Sequence, residues 1–172
     1  QLVENDFRCR VINNFDAELD LIREYDQRCE RPIIGISTTF ILQWLEVGRI
    51  TSILREIAPS AILVLGGAFV NDHFLTKGRA TFEKYIRKYQ LDYIIYSFNS
   101  EKDLLQLMRV LRDQAGFHSV NNLAYLDQSA RFCTTQDVWN EPVVDYPAKS
   151  WSRLYSPENM GNTLQLRTTS GC

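Results

Sequence analysis

Three short apolar runs constrain the fold of this chain: Ile-Ile-Gly-Ile at 33–36, Ile-Leu-Val-Leu at 62–65 and Tyr-Ile-Ile-Tyr at 93–96. Each is rich in β-branched or aromatic residues and apolar at consecutive positions. A strand with one wet face alternates, so unbroken runs this short fit strands buried on both faces of a parallel sheet. Between them the period becomes helical. Ile50, Ile53, Leu54 and Ile57 recur at three- and four-residue steps, as do Phe82, Tyr85, Ile86 and Tyr89, and then Leu104, Leu107, Met108 and Leu111. Pro59 closes the first of these helices, and Ser100 with Asp103 three residues on reads as a capping box opening the last. Strand and helix alternating in this way predict βαβ units with right-handed crossovers: a doubly wound, Rossmann-like (flavodoxin-like) α/β domain with strands at about 33–37, 61–66 and 92–96.

The flanks carry less regular signals. Residues 8–13 read as an earlier strand, followed by a helix from Ala17 to about Arg28, and residues 1–5 as the last turn of a helix, so the chain is expected to begin inside a unit. Residues 122–126 and 130–134 flank a turn at Asp127-Gln128-Ser129, which predicts a hairpin at a sheet edge. Residues 141–157 hold Pro142, Pro147 and Pro157 with Tyr146 and Trp151, which reads as an extended, aromatic-anchored connector. Residues 164–167 look like one more strand. The expected division is therefore a domain over 1–140 and a linker with a first further strand over 141–172.

Charge and composition narrow the function classes. With 19 Lys+Arg against 21 Asp+Glu in 172 residues, the net charge is −2, which argues against a nucleic-acid grip built on bulk positive charge. No apolar run approaches the roughly 18 residues of a membrane span, and the charged opening residues do not read as a signal peptide. Four cysteines without short spacing make a poor disulfide framework, so a cytoplasmic location is expected.

In open parallel sheets, ligands gather beyond the carboxyl ends of the strands, where strand order reverses. Three such ends are legible. The first carries the hydroxyls of Ser37, Thr38 and Thr39. The second carries Gly66 and Gly67, where missing side chains allow close backbone approach. The third carries Ser97, Phe98, Asn99 and Ser100. Such residues are also ordinary in strand-to-helix turns, and their convergence on one rim is what favours a site. The G-x-G-x-x-G and G-x-x-x-x-G-K-[ST] phosphate loops and the G-x-S-x-G elbow are absent.

The series Gly35-Ile36-Ser37-Thr38-Thr39-Phe40, Gly66-Gly67-Ala68, and residues 92–96 with Glu101 resembles the cobalamin-binding domain that precedes radical SAM barrels. In that family the strand ends read roughly Gly-Ile-Ser, Gly-Gly-Pro and an acidic Gly-Glu-Gly-Glu turn, followed by a hairpin and a proline-rich linker. The resemblance implies that Ser37, Thr38, Thr39, Gly66, Gly67 and Ala68 cradle the corrin or its nucleotide tail, with Ser97, Asn99 and Glu101 closing the rim. It implies cobalamin here, and a [4Fe-4S] cluster and S-adenosylmethionine in a downstream barrel of the same polypeptide. Cys172 would be the first cysteine of that barrel's Cys-x-x-x-Cys-x-x-Cys motif, its partners lying beyond the chain. The function implied is positioning (methyl)cobalamin for radical-based methyl transfer on a peptide or small molecule, this part alone being inactive. The chain departs from the family in two places. Its acidic turn keeps only Glu101, and the Asp-x-His-x-x-Gly motif for histidine ligation of cobalt is missing, since Asp72 and His73 are adjacent. His73 and His118 are expected at the surface or in loops. These departures favour the other reading, a degenerate scaffold or docking domain whose cleft is filled by Phe40, Phe69 or Phe98.

Overall fold

The computed structural model describes Leu2 and residues 7–139. The α/β unit spans Leu19–Asn140. Its sheet has five strands, β1 (Ile33–Ser37), β2 (Ile62–Gly66), β3 (Tyr93–Ile95), β4 (Leu123–Leu126) and β5 (Phe132–Thr134), lying side by side in chain order. β1, β2 and β3 are parallel, with Ile33 opposite Ile62 and Val64 opposite Tyr93. β4 runs antiparallel to β3, and β5 pairs antiparallel with β4. The expected strands and the edge hairpin are thus present. Among the described strands the order does not reverse, so the reversal that the sequence reading places at the rim is not found among them.

Helices cover the sheet from both sides. α1 (Leu19–Arg28), α2 (Trp44–Ile57), α3 (Ala68–Lys77), α4 (Phe82–Tyr89) and α5 (Glu101–Asp113) follow the strand order. α5 lays Leu104, Leu107, Val110 and Leu111 on a cluster of Val64, Ile95 and Leu123. Residues of opposite parity, Leu63, Leu65, Ile94 and Ala124, are buried as well, and so are Val47, Ile50 and Leu54 of α2 and Phe82 and Ile86 of α4. A strand buried on both faces needs apolar side chains of both parities, and that is why the runs of β2 and β3 do not alternate, whereas β1, at the edge of the described sheet, buries only Ile36 and falls short of the burial expected for it. α3 lacks a sequence signature because only Val70 of its ten residues is buried. None of the described helices is long and apolar enough to cross a membrane.

Two local expectations are overturned. Residues 8–13 form no strand and pair with none of the described strands, and a turn follows in which the Asn14 side chain accepts the Ala17 N–H. The capping box at Ser100 does not form either: Ser100 is itself helical and makes no side-chain cap. Asp103 instead turns inward. Its Oδ2 accepts the Ser97 hydroxyl at 2.7 Å and the Asn122 amide at 2.8 Å, and all three residues are buried. Asn122 goes on to exchange bonds with Val138, giving its Nδ2–H to the carbonyl and taking the N–H on Oδ1. One carboxylate thus ties the end of β3 to α5, to the start of β4 and to the strand's exit.

At the opposite end of the strands, Arg55 donates to the carbonyls of Ala61 and Gln90 and to Asp92, which also accepts the Leu63 N–H. The hairpin is closed by Asp127, whose Oδ1 takes the N–H groups of Ser129 and Arg131.

Replacing Asp103 by Ala removes the buried acceptor that the Ser97 hydroxyl and the Asn122 amide share, so the denaturant midpoint should fall by the equivalent of about 2–4 kcal/mol. Ser97→Ala, which removes one donor from a carboxylate that keeps another, should cost about 1 kcal/mol.

Candidate functional site

The candidate residues stand on the carboxyl rim of β1, β2 and β3, and the structure separates them into two roles. Ser37 and Thr39 are exposed, with their hydroxyls 3.1 Å apart. Thr38, between them, is fully buried. Its N–H donates to the Gly66 carbonyl at 2.7 Å and its hydroxyl donates to the same oxygen at 2.9 Å. The Thr38 Oγ1 also accepts the Val70 N–H at 3.4 Å, in the first turn of α3. Helix amino termini carry unsatisfied N–H groups, and Gly67, the residue before α3, has no side chain with which to cap one. Thr38 caps it from across the rim.

Gly67 has φ +110° and ψ −171°, a conformation that disfavours any residue with a side chain. A Cβ there would also lie 2.8 Å from the Thr38 nitrogen. The close approach expected at Gly67 is therefore real, but its partner is the neighbouring loop. Gly66 is packed against the Ile95 carbonyl, 3.3 Å from where its Cβ would stand. Gly35, one position before Ile36 in β1, is exposed, with open space where a side chain would be. Ala68 is half-buried as the first residue of α3.

The third strand end is organised differently. Ser97 and Asn99 are buried, Ser97 being committed to Asp103, and Glu101 is half-buried as the first residue of α5. Ser97, Phe98 and Asn99 line a cavity of about 160 Å³ together with Asn71, Leu75 and Trp139. Asn71 lies one turn into α3, its N–H bonded to the Gly67 carbonyl at 3.0 Å, so α3 links the glycine turn to this cavity. Asn71 and Trp139 were not singled out by the sequence, since neither sits in a strand-to-helix turn. Tyr96, fully buried just past β3, gives its hydroxyl to Asp137 at 2.6 Å, and Asp137 also takes Arg79 at 2.8 Å. Burial, with the bond to Asp137, pushes the Tyr96 phenol well above its ordinary value.

The three rings considered as cleft-fillers behave differently from one another. Phe40 is 85% exposed and does not fill the space above Ser37. Phe69 packs on Trp44 with ring centres 5.3 Å apart, and Phe98 lines the cavity. Of the histidines, His118 is exposed on a short turn, whereas His73 departs from expectation: it is half-buried on α3. Among the described residues no group of His, Cys, Asp and Glu could hold a metal ion. Cys9, Cys29 and Cys133 are free thiols, and Cys172 lies outside the described residues, as do the connector and the strand expected at 164–167.

No protein-family model matches the chain, and no curated protein matches it. Solved structures do. The cobalamin-dependent S-adenosylmethionine radical enzyme OxsB, with aqua-cobalamin bound, is 18% identical with a TM-score of 0.53 over 74% of this chain and 16% of its own. The radical S-adenosylmethionine methyltransferase TsrM from Kitasatospora setae, with cobalamin and a [4Fe-4S] cluster, is 15% identical with a TM-score of 0.51 over 73% of this chain and 22% of TsrM. A second TsrM structure, with tryptophan substrate and a SAM analogue, is 13% identical with a TM-score of 0.50 and covers 70% and 22%. At such identities the likeness is one of fold, and this chain spans less than a quarter of each of these enzymes.

The division of the rim predicts how substitutions there behave. Gly67→Ala and Thr38→Val should each lower stability by about 1–3 kcal/mol, the first by clash and strain, the second by leaving the Val70 N–H without its cap. Ser37→Ala and Thr39→Ala should stay within about 0.5 kcal/mol of the parent, as exposed positions do. Chemical denaturation of the four variants checks the split.

Proposed function

We propose that residues 1–140 are a cobalamin-binding-type domain of a larger radical SAM enzyme, with 141–172 leading into its barrel. The observation that carries this reading is the open rim. Exposed hydroxyls at Ser37 and Thr39 and the bare backbone at Gly35 border the carboxyl ends of parallel strands, in a fold shared with cobalamin-holding enzymes. The residues present fit a large, amide-rimmed ligand: small side chains leave room, and hydroxyls both donate and accept. When bound, the cofactor supplies methyl-group transfer, and the chain's part is binding and orientation.

Within that reading, Ser37 and Thr39 meet the ligand's polar periphery. Thr38 and Gly67 hold the two loops in register, and Gly66 and Ala68 keep the rim shallow. Ser97, Asn99 and Glu101 border the far side, where Ser97 acts through Asp103 and not by direct contact. His73 is held by hydrogen bonds on both ring nitrogens, and His118 lies on a surface turn. Cobalt is therefore expected to take no histidine from this chain. Cys172 would serve the downstream cluster, since one thiolate alone holds none.

A second reading, a docking domain that binds no cofactor, is favoured by one observation. Phe40, Leu42 and Leu45, at the loop following β1 and the start of α2, are 85%, 76% and 79% exposed. Anaerobic reconstitution of the full-length protein with hydroxocobalamin, followed by absorbance, separates the two. We expect uptake by the full-length protein and a Kd weaker than about 1 μM for the chain alone, because the barrel side of the cleft is then absent. Ser37→Ala combined with Thr39→Ala should weaken uptake about fivefold or more at unchanged melting temperature. A folded full-length protein that takes up no cobalamin would leave the docking reading in its place.

A further inference from the structure

His73 takes no part in the rim, yet it sits where α2, α3 and α4 meet. Its ring meets Trp44 and Tyr85 edge-on, with centres 5.2 and 5.1 Å away, and lies 5.7 Å from Phe82. Trp44 itself stacks flat on Tyr85, 3.7 Å between centres and 4° from parallel. The polar atoms fix the imidazole's protonation. An indole N–H can only donate, and Trp44 Nε1–H donates to His73 Nδ1 at 3.4 Å, so Nδ1 offers a lone pair. The ring proton then sits on Nε2, which donates to the Thr81 hydroxyl at 2.9 Å, and that hydroxyl donates to the Gly78 carbonyl at 2.8 Å. Donation runs one way, from indole to imidazole to hydroxyl to carbonyl, and it requires a neutral imidazole.

Trp44 opens α2 immediately after the loop at 38–43. The near end of that loop is pinned by Thr38 on Gly66, and its far end by Trp44 on His73. We propose that His73 is a positioning residue for the candidate rim, one that as a neutral imidazole anchors Trp44 and sets the 38–43 loop, and that on protonation releases this anchor. A proton on Nδ1 would face the Trp44 N–H, donor against donor. The functional consequence, acid-weakened ligand binding, rests on the reading of the rim given above, whereas the anchoring does not.

The charges acting on the ring come from its own helix: Lys77 opposes protonation and Asp72 favours it. On the packed elements, Glu46 pairs with Arg49, Arg79 with Asp137 and Glu83 with Arg87, while α4 brings the Tyr85 phenol against the ring. Partial burial, reinforced by Lys77, holds the His73 pKa below its ordinary 6.5. The unfolded chain therefore binds this proton more readily than the folded one below pH 6.5, and stability in that window falls as pH falls.

In a Trp139→Phe, Trp151→Phe background, Trp44 is the sole indole. Its emission should shift in one single-proton step centred below pH 6.5, and backbone amide shifts of residues 39–42 should titrate with the same midpoint. His73→Phe, which keeps the packing but cannot accept, should abolish the step. His73→Asn, whose amide can still accept from Trp44, should keep the pH 7.5 emission without titrating, and it decides the matter if the Phe variant does not fold. A step that persists in either variant overturns the proposal, as does a titrating Trp44 beside unmoved amides at 39–42. In the full-length protein with native tryptophans, hydroxocobalamin affinity should drop about tenfold between pH 7.5 and 5.5 and stay level in His73→Asn. Uptake at neither pH would count against the cofactor reading alone, while the emission and amide data still decide the role of His73.

Discussion

The hinge of this structure is a single carbonyl. Gly66 ends β2, and its oxygen receives both the backbone N–H and the side-chain hydroxyl of Thr38, from the loop that leaves the neighbouring strand. The same hydroxyl satisfies an amide at the start of α3. The first of these bonds is the last rung of the β1–β2 ladder, and the two made by the hydroxyl carry the join on into the loops that leave the strands. They also explain Gly67: the loops approach so closely that a methyl group between them would meet the Thr38 nitrogen at 2.8 Å. The exposed hydroxyls on either side of Thr38 owe their placement to this contact, since the middle residue must point inward for its neighbours to point out.

A second polar centre does the corresponding job where the sheet changes direction. β3 is the last parallel strand, and β4 returns antiparallel beside it. A parallel sheet that ends in a hairpin needs a join at this seam. Asp103 supplies it from α5, gathering Ser97 behind β3 and Asn122 ahead of β4. Buried polar groups are costly unless fully partnered, and here each donor finds the same carboxylate, so the cluster specifies how the two halves of the sheet meet. The rim residues on this side are held by that join and by the Tyr96 to Asp137 contact.

β2 and β3 are legible in the sequence because burial on both faces leaves an unbroken apolar signature within a few residues, and the run of β1 reads the same way although only Ile36 of it is buried. The same holds for α2, α4 and α5, whose stripes repeat locally, and for the hairpin, whose turn is closed by Asp127. What the sequence does not show depends on partners distant along the chain. Thr38 looked like a ligand-facing hydroxyl because its acceptor is twenty-eight positions along, at Gly66. Asp103 looked like half of a capping box because Asn122, which draws it inward, lies on another element. α3 has no local signature because it buries one residue only, and Asn71 and Trp139 have none because a cavity wall follows no sequence pattern.

The unreversed order of the strands also bears on how the sheet is assembled. Among the described strands, each one after β1 pairs with the strand just before it in the chain, so a single crossover or hairpin separates every pair. Chains built from such nearest-neighbour pairings have modest loop-closure costs and a natural direction of growth. During synthesis the newest strand always finds its template already emerged, and the antiparallel hairpin, with the shortest connection, can add last and fastest.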